Sequence, residues 1–221
     1  MALIRESFPV GVLGCNCSLI ACPDTHEALV IDPGDEAPRI LAALARLGIR
    51  AVKIVHTHAH LDHVLGTAEV ARATGAETLV HKDDRWLWDN VPMLARMFGF
   101  QAEAPPPPTT ELAGEERLAF GRREARALHT PGHTPGSLCF FLEHPGETPI
   151  LFAGDTLFAG SVGRTDLWGG SFPDLARSIR ERLFELPDET VVVPGHGPET
   201  TVQAEREDNP FVGKHARLAP T

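Results

Sequence analysis

Residues 56–63 read His-Thr-His-Ala-His-Leu-Asp-His, and this is the stretch of the 221-residue chain that says most about its fold. It follows an apolar, strand-like segment (AVKIV) and precedes a predicted helix. Side chains two residues apart on an extended backbone point the same way, so His58 and His60 can converge, while Asp62 and His63 open the helix. Imidazole and carboxylate groups are ligands for Zn²⁺, Mn²⁺ or Fe²⁺. The stretch therefore predicts a metal-binding loop between a strand and a helix.

Three later segments share one order of features: an apolar strand, a turn that contains glycine, and a potential ligand. They are ARALHTPGH, PILFAGD and TVVVPGH, which end at His133, Asp155 and His196. Glycine in such a turn permits a close approach of the backbone to a site. Ligands placed just past strand ends collect along one edge of a sheet. With the first loop they supply five histidines and two aspartates, a suitable set for two metal ions about 3.5–4 Å apart.

Strand and helix patterns alternate along the chain, which predicts an α/β (α+β) fold in a single domain of residues 1–221. Strands are predicted at Ser18–Cys22, Ala28–Asp32, Val52–His56, Thr78–His81, Glu124–His129, Leu138–Leu142, Ile150–Ala153 and Thr190–Val193. One helix is predicted in APRILAALARLG (residues 37–48), with Gly48 as its C-terminal stop. Others are predicted at about 62–74, at 83–98 with a break or kink at Pro92, and at 173–184. The run Pro105–Pro108 cannot join a sheet and is predicted to be a surface loop.

The composition excludes several classes of protein. A formal net charge of −10 argues against nucleic-acid binding, because phosphate groups would be repelled. No apolar run reaches the roughly 18 residues of a membrane span, and the N-terminal segment does not resemble a secretory signal, so we expect a cytoplasmic protein. The four cysteines lack metal-binding spacing and are expected to be buried, reduced thiols. The absence of tyrosine excludes a mechanism that needs a phenol.

Four segments, THAHLDH, TPGHTPGS, FAGDTLF and PGHGPETT, resemble the successive motifs of the metallo-β-lactamase superfamily. Within it the chain is similar to short bacterial members of the type II glyoxalase-like (hydroxyacylglutathione hydrolase-like) branch. The segments NCSLIACPDTHEALVIDPGDE, HKDDRWLWDNVPMLARMFGF and GSVGRTDLWGGS extend the resemblance over nearly the whole chain. The resemblance implies an αββα sandwich with the metal ions at one edge of the paired sheets.

The resemblance also implies a role for each ligand. It implies His58, His60 and His133 on a first metal, Asp62, His63 and His196 on a second, and Asp155 as the bridge. The cofactors are then two divalent ions, with zinc expected and iron or manganese as alternatives. In the family, a hydroxide that bridges the metals attacks a thioester carbonyl. Asp62 is expected to orient that hydroxide, and an S-lactoylglutathione-like thioester is the expected substrate.

Three further residues are candidates for supporting roles. Arg164 follows the turn of the bridging aspartate, where type II glyoxalases carry a lysine that binds a carboxylate of glutathione; the alternative is an ion pair with Asp166. His129 and His81 end strands and could form hydrogen bonds next to the metal ligands. The chain departs from the family in lacking a nearby tyrosine. Only 25 residues follow His196, so we do not expect the C-terminal helical domain that completes the glutathione site. Metal chemistry is therefore a stronger expectation than glutathione specificity.

Two alternatives to a dinuclear hydrolase stay open at this stage. A related branch, the persulfide dioxygenases, has a similar GRTD segment and binds one iron through two histidines and an aspartate. A metal-binding scaffold without catalysis is the second alternative, although all seven ligand positions are filled. A β-lactamase is disfavoured because those enzymes are exported. The expected partner is a small-molecule thioester, with no nucleic acid and no membrane, and the oligomeric state is open.

Overall fold

The computed structural model describes residues 2–99 and 101–217. Contacts between Cα atoms group the chain into two compact units. Unit 1 comprises Met1–Leu112 and Leu118–Glu124, and unit 2 comprises Ala113–Arg117 and Ala125–Thr221. The boundary falls after residue 112 rather than in the proline run, which is a loop of unit 1 as predicted.

The core of unit 1 is a six-stranded sheet in the order β1-β2-β3-β4-β5-β6. Its strands are β1 (Ile4–Val10), β2 (Cys15–Ala21), β3 (Glu27–Ile31), β4 (Arg50–Val55), β5 (Glu77–His81) and β6 (Thr110–Leu112). The first three strands are antiparallel, and β3 to β6 are parallel. The carboxyl ends of four neighbouring strands therefore lie at one edge of this sheet.

The described residues of unit 1 also form the helices α1 (Ala37–Leu47), α2 (Leu61–Val64), α3 (Thr67–Thr74), α4 (Arg85–Asp89) and α5 (Val91–Met97). Buried side chains of α1 and α3, including Ile40, Leu44 and Val70, share an apolar cluster with Leu19 and Val30 of the sheet. Helix α1 ends where the sequence predicts, because Gly48 adopts a left-handed conformation with φ of 64°.

Unit 2 contains most of a second six-stranded sheet in the order β14-β13-β10-β9-β8-β7. Its strands are β7 (Arg117–Phe120), β8 (Arg123–His129), β9 (Leu138–Leu142), β10 (Ile150–Gly154), β13 (Val191–Pro194) and β14 (Thr200–Thr201). A separate hairpin pairs β11 (Leu157–Phe158) with β12 (Ser161–Val162). Two helices, α6 (Phe172–Ser178) and α7 (Val202–Asp208), complete the unit. Leu175 of α6 packs with Leu151 and Val192 of the sheet.

Three predicted helices differ from the structure. The helix predicted at 62–74 is divided into α2 and α3 at Gly66. The backbone N–H of Gly66 donates to the carbonyl of Pro33 (2.9 Å), and this contact interrupts the helix. The helix at 83–98 breaks at Asn90 instead of Pro92, which occupies the first turn of α5. The helix at 173–184 continues from α6 as one π-helical turn, Ile179–Leu183.

The pattern missed strand β1, whose sequence IRESFPV is polar and contains a proline. The structure explains this composition, because β1 lies at an edge of its sheet, where proline is tolerated. The four cysteines are free and buried, as predicted. In the part of the chain that the structure describes, no helix combines the length and apolar character needed to cross a membrane.

Candidate metal centre

The strand ends of unit 1 bring three polar segments together. Asp32 follows β3, and the ligand loop (residues 57–63) follows β4. Asp84 is the last residue of a short 3-10 turn that follows β5. Because these three strands are parallel neighbours, the segments after their carboxyl ends meet at the same sheet edge. Four of the predicted ligands lie in this loop.

Asp32 holds the two ends of the ligand loop. Its buried carboxylate accepts hydrogen bonds from the backbone N–H of Thr57 (2.8 Å), from the Thr57 hydroxyl (2.6 Å) and from Nδ1 of His63 (2.9 Å). The bond to Nδ1 leaves Nε2 of His63 as the nitrogen that could bind a metal ion. The Thr57 hydroxyl also accepts from Nδ1 of His58 (3.1 Å), which gives His58 the same tautomer.

The loop ligands lie close to one another. Nε2 of His63 is 3.7 Å from Oδ2 of Asp62. The ring of His58 is 4.0 Å from that of His63 and 4.8 Å from that of His60, measured between centroids. His58 and His63 are buried, while the side chain of Asp62 keeps a 20% exposed fraction. Solvent and a small molecule can therefore reach Asp62.

His56 begins the histidine run but is structural. Its Nδ1 donates to the carbonyl of Leu79 (3.0 Å), and its Nε2 accepts from the hydroxyl of Thr67 (2.8 Å). The ring packs edge-on against Trp88. Complete burial lowers the pKa of His56 to about 4, so the imidazole is neutral. With both ring nitrogens engaged in hydrogen bonds, His56 packs against its neighbours and is not one of the predicted ligands.

The remaining three ligands follow strand ends of unit 2. His133 follows β8, Asp155 follows β10 and His196 follows β13. Strands β10 and β13 are parallel neighbours, and β8 runs in the same direction because two antiparallel pairings separate it from β10. Oδ2 of Asp155 is 3.6 Å from Nε2 of His133, and Oδ1 is 3.7 Å from Nε2 of His196. One carboxylate thus presents one oxygen to each of two histidines.

Backbone contacts fix the ring of His133. Its Nδ1 donates to the carbonyl of Arg164 (2.8 Å), which leaves Nε2 as the nitrogen that faces Asp155. The preceding Gly132 has φ of 144°, and a Cβ there would lie 2.3 Å from the backbone of Leu175. His129 donates from Nε2 to the carbonyl of Pro135 (2.8 Å), so it braces the turn that carries His133.

Arg164 forms the ion pair that was its alternative role. Its Nε and Nη2 donate to the two carboxylate oxygens of Asp166 at 2.7 and 2.8 Å. This bidentate contact lowers the pKa of Asp166 to about 2. Both side chains are more than half exposed, so contact of Arg164 with a substrate stays a prediction.

The donor set fits divalent metal ions. In each of three contacts between a predicted aspartate ligand and a predicted histidine ligand, the facing atoms are 3.6–3.7 Å apart, longer than a hydrogen bond. Two ligand atoms on one tetrahedral zinc ion, each about 2.1 Å from it, lie roughly 3.4 Å apart. The opposite ring nitrogens of His63 and His133 are held by Asp32 and by a backbone carbonyl, the usual support of ligating imidazoles.

Sequence reasoning did not assign roles to Asp32 and Asp84. Both are buried, and Oδ2 of Asp84 accepts from the backbone N–H of Ala59 (2.9 Å) within the ligand loop. Their signal was present, since each follows an apolar strand as Asp155 does. His81, predicted to support the site, is buried, and its Nδ1 accepts from the backbone N–H of Asp83 (3.2 Å), capping the 3-10 turn.

Comparison with known proteins adds an independent line of support. The family model of the metallo-beta-lactamase superfamily matches residues 10–196. The hydroxyacylglutathione hydrolase GloC of Haemophilus influenzae is 36% identical over 209 residues, which cover 94% of this chain and 97% of the relative. Because the family model covers most of the chain, the protein belongs to the metallo-β-lactamase superfamily.

Two solved structures resemble the whole chain. The BLEG-1 B3 metallo-beta-lactamase superposes with a TM-score of 0.87 at 33% identity, covering 95% of this chain and 99% of that one. TTHA1623 in a di-iron-bound form gives a TM-score of 0.83 at 38% identity, covering 93% and 99%. The predicted fold class, the αββα metallo-β-lactamase fold, is confirmed. The family model spans residues of both contact units.

Proposed function

We propose that this member of the superfamily is a dinuclear metallohydrolase that cleaves a thioester of the hydroxyacylglutathione type. The proposed metal ligands are His58, His60, Asp62, His63, His133, Asp155 and His196. Support for the reaction class comes from the similarity to the hydroxyacylglutathione hydrolase of H. influenzae. Zinc is the proposed metal, with iron as the first alternative because a 38% identical structure contains two irons.

The carboxylate of Asp155 is the observation that carries the proposal. A carboxylate that bridges two ions can offer one oxygen to each, and the two oxygens of Asp155 face His133 and His196 separately. A carboxylate on a single ion would not need this arrangement. The contact thus favours two ions over the mononuclear iron site of a persulfide dioxygenase.

Two divalent ions, when bound, polarise a carbonyl and lower the pKa of water to about 7. The side chains have complementary tasks. Asp62 is partly exposed, and its carboxylate orients the attacking water through a hydrogen bond. Asp32 holds the imidazole ring of His63 in one orientation through its hydrogen bond to Nδ1. Attack forms the bond from the water oxygen to the acyl carbon, the carbon–sulfur bond breaks, and the thiolate takes up a proton.

A direct test combines metal analysis with a substrate panel. We expect about two metal ions per chain and release of thiol from S-lactoylglutathione and other acyl thioesters. Asp155→Ala should lower both the metal content and, by about 100-fold or more, the rate of hydrolysis, because a ligand is lost. Asp188→Ala is the matched control, since it removes a half-exposed surface carboxylate that pairs with Arg206.

The proposal is contradicted by full activity of Asp155→Ala. It is also contradicted if the purified protein holds one iron per chain and consumes oxygen with glutathione persulfide. Metal binding without turnover of any thioester in the panel would support the non-catalytic scaffold instead.

A further inference from the structure

Asp84 is a completely buried carboxylate outside the set of proposed ligands. It ends the 3-10 turn after β5 and immediately precedes α4. Its exposed fraction is 0%. Burial of an ionised carboxylate is costly unless it is hydrogen-bonded, so a position of this kind indicates a specific task.

The partner of Asp84 lies at the centre of the ligand loop. Oδ2 accepts from the backbone N–H of Ala59 at 2.9 Å, and Ala59 separates His58 from His60. The two imidazole rings stand almost perpendicular, at 86°. The orientation of the Ala59 peptide plane therefore sets how the two side chains diverge from the backbone.

The surroundings of Ala59 make this hydrogen bond hard to replace. Ala59 is fully buried and belongs to an apolar cluster with Leu87, Trp88 and Val91 of helices α4 and α5. If the carboxylate is removed, water has no ready access to the N–H group. A buried, unsatisfied N–H group is unfavourable, so the loop must shift to satisfy it.

The two buried aspartates form hydrogen bonds to different parts of the ligand loop. Asp32 bonds to Thr57 and His63, the two ends of the loop, whereas Asp84 bonds to its middle. We propose that Asp84 is a positioning residue that fixes the His58–His60 pair and thereby sets the affinity of the first metal ion. This inference rests on the proposed dinuclear function and adds to it a residue that neither binds a metal nor contacts the substrate.

The test compares Co²⁺ binding by the wild-type protein and three variants after removal of the native metal. Asp84→Ala should weaken binding of one Co²⁺ about 10–100-fold and change its d–d absorption, while the second ion binds as in wild type. Asp84→Asn keeps an oxygen that can accept from Ala59, so it should restore most of the affinity and the wild-type spectrum. Asp89→Ala removes an exposed carboxylate of the same helix α4 and should change neither property.

The outcomes separate this inference from the proposed function. Binding of two Co²⁺ ions and thioester hydrolysis by the wild-type protein test the function alone. If the wild type binds two ions and Asp84→Ala binds both with unchanged affinity and spectrum, the positioning role is wrong, even if its melting temperature falls. If Asp84→Ala does not fold, Asp84→Asn decides: a wild-type spectrum supports the role, and loss of one ion overturns it.

Discussion

At the scale of single residues, hydrogen bonds to one nitrogen of an imidazole ring determine which nitrogen is left to bind a metal ion. Asp32 and the carbonyl of Arg164 accept from Nδ1 of His63 and His133, which leaves Nε2 of both rings as the proposed ligand atom. The tautomers are therefore set by the fold before any ion binds. This preorganisation reduces the conformational entropy that metal binding has to overcome.

The ion pair between Arg164 and Asp166 leads to a prediction about substrate binding. Asp166→Ala should release the guanidinium group and lower KM, by a factor of up to about five, for a thioester whose thiol carries a carboxylate. Arg164→Ala should raise KM for the same substrate. Because the ion pair lowers the pKa of Asp166 to about 2, these effects should not vary between about pH 5 and pH 9.

Steady-state kinetics with two substrates checks this prediction. A thioester without a carboxylate on its thiol should show the same KM in both variants and in wild type. Asp174→Ala, which breaks the surface pair of Asp174 with Arg177, is the matched control. An unchanged KM for the charged substrate in Arg164→Ala would show that Arg164 has only its ion-pair role.

At the scale of elements, the strand ends were the most predictable part of the molecule. Every ligand position predicted from the sequence follows an apolar strand, and the structure places His133, Asp155 and His196 after the ends of strands that run in one direction. Hydrophobic runs specify where strands lie, so the positions of the ligands could be read from them.

Elements fixed by long-range contacts could not be predicted in this way. The break between α2 and α3 depends on the approach of Gly66 to Pro33, which is 33 residues away in the chain. The role of Asp84 depends on the pairing of β4 with β5, and a single sequence does not specify which strands are neighbours. Local patterns thus identified candidate ligands but not the side chains that form hydrogen bonds to them.

The turn after β3 carries a prediction at this scale. A Cβ atom on Gly34 would lie 1.7 Å from the backbone oxygen of Asp62, so Gly34→Ala must displace the ligand loop. We expect a loss of about 1–3 kcal/mol in the free energy of unfolding, together with weaker metal binding. Urea denaturation of the metal-free protein and competition with a chelator measure the two effects.

Gly48→Ala is the control for this substitution. Gly48 has φ of 64° but no atom within 4 Å of its Cβ position, so alanine costs about 1 kcal/mol in backbone strain without crowding a neighbour. Its metal affinity should equal that of wild type. Equal metal affinity in Gly34→Ala would mean that the loop adapts to the methyl group without moving Asp62.

At the scale of the whole molecule, charge links metal binding to stability. The chain has a formal net charge of −10, and three of its carboxylates, Asp32, Asp62 and Asp155, lie next to histidine ligands. The proposed dications would offset these negative charges. The proposed ligands come from four segments spread over more than half of the sequence, so bound ions favour the native state over the unfolded chain.

Removal of the metal should therefore lower the melting temperature. An ion present at 1,000 times its dissociation constant stabilises the folded state by about 4 kcal/mol. In a chain of this size each kcal/mol changes the melting temperature by roughly 2–4 °C, so complete chelation should lower it by about 10 °C or more. Differential scanning calorimetry with and without a chelator measures the shift, and Asp155→Ala should show a much smaller one. Metal analysis must first confirm that the metal has been removed. If the melting temperature is then unchanged, the protein fold alone holds the ligand segments.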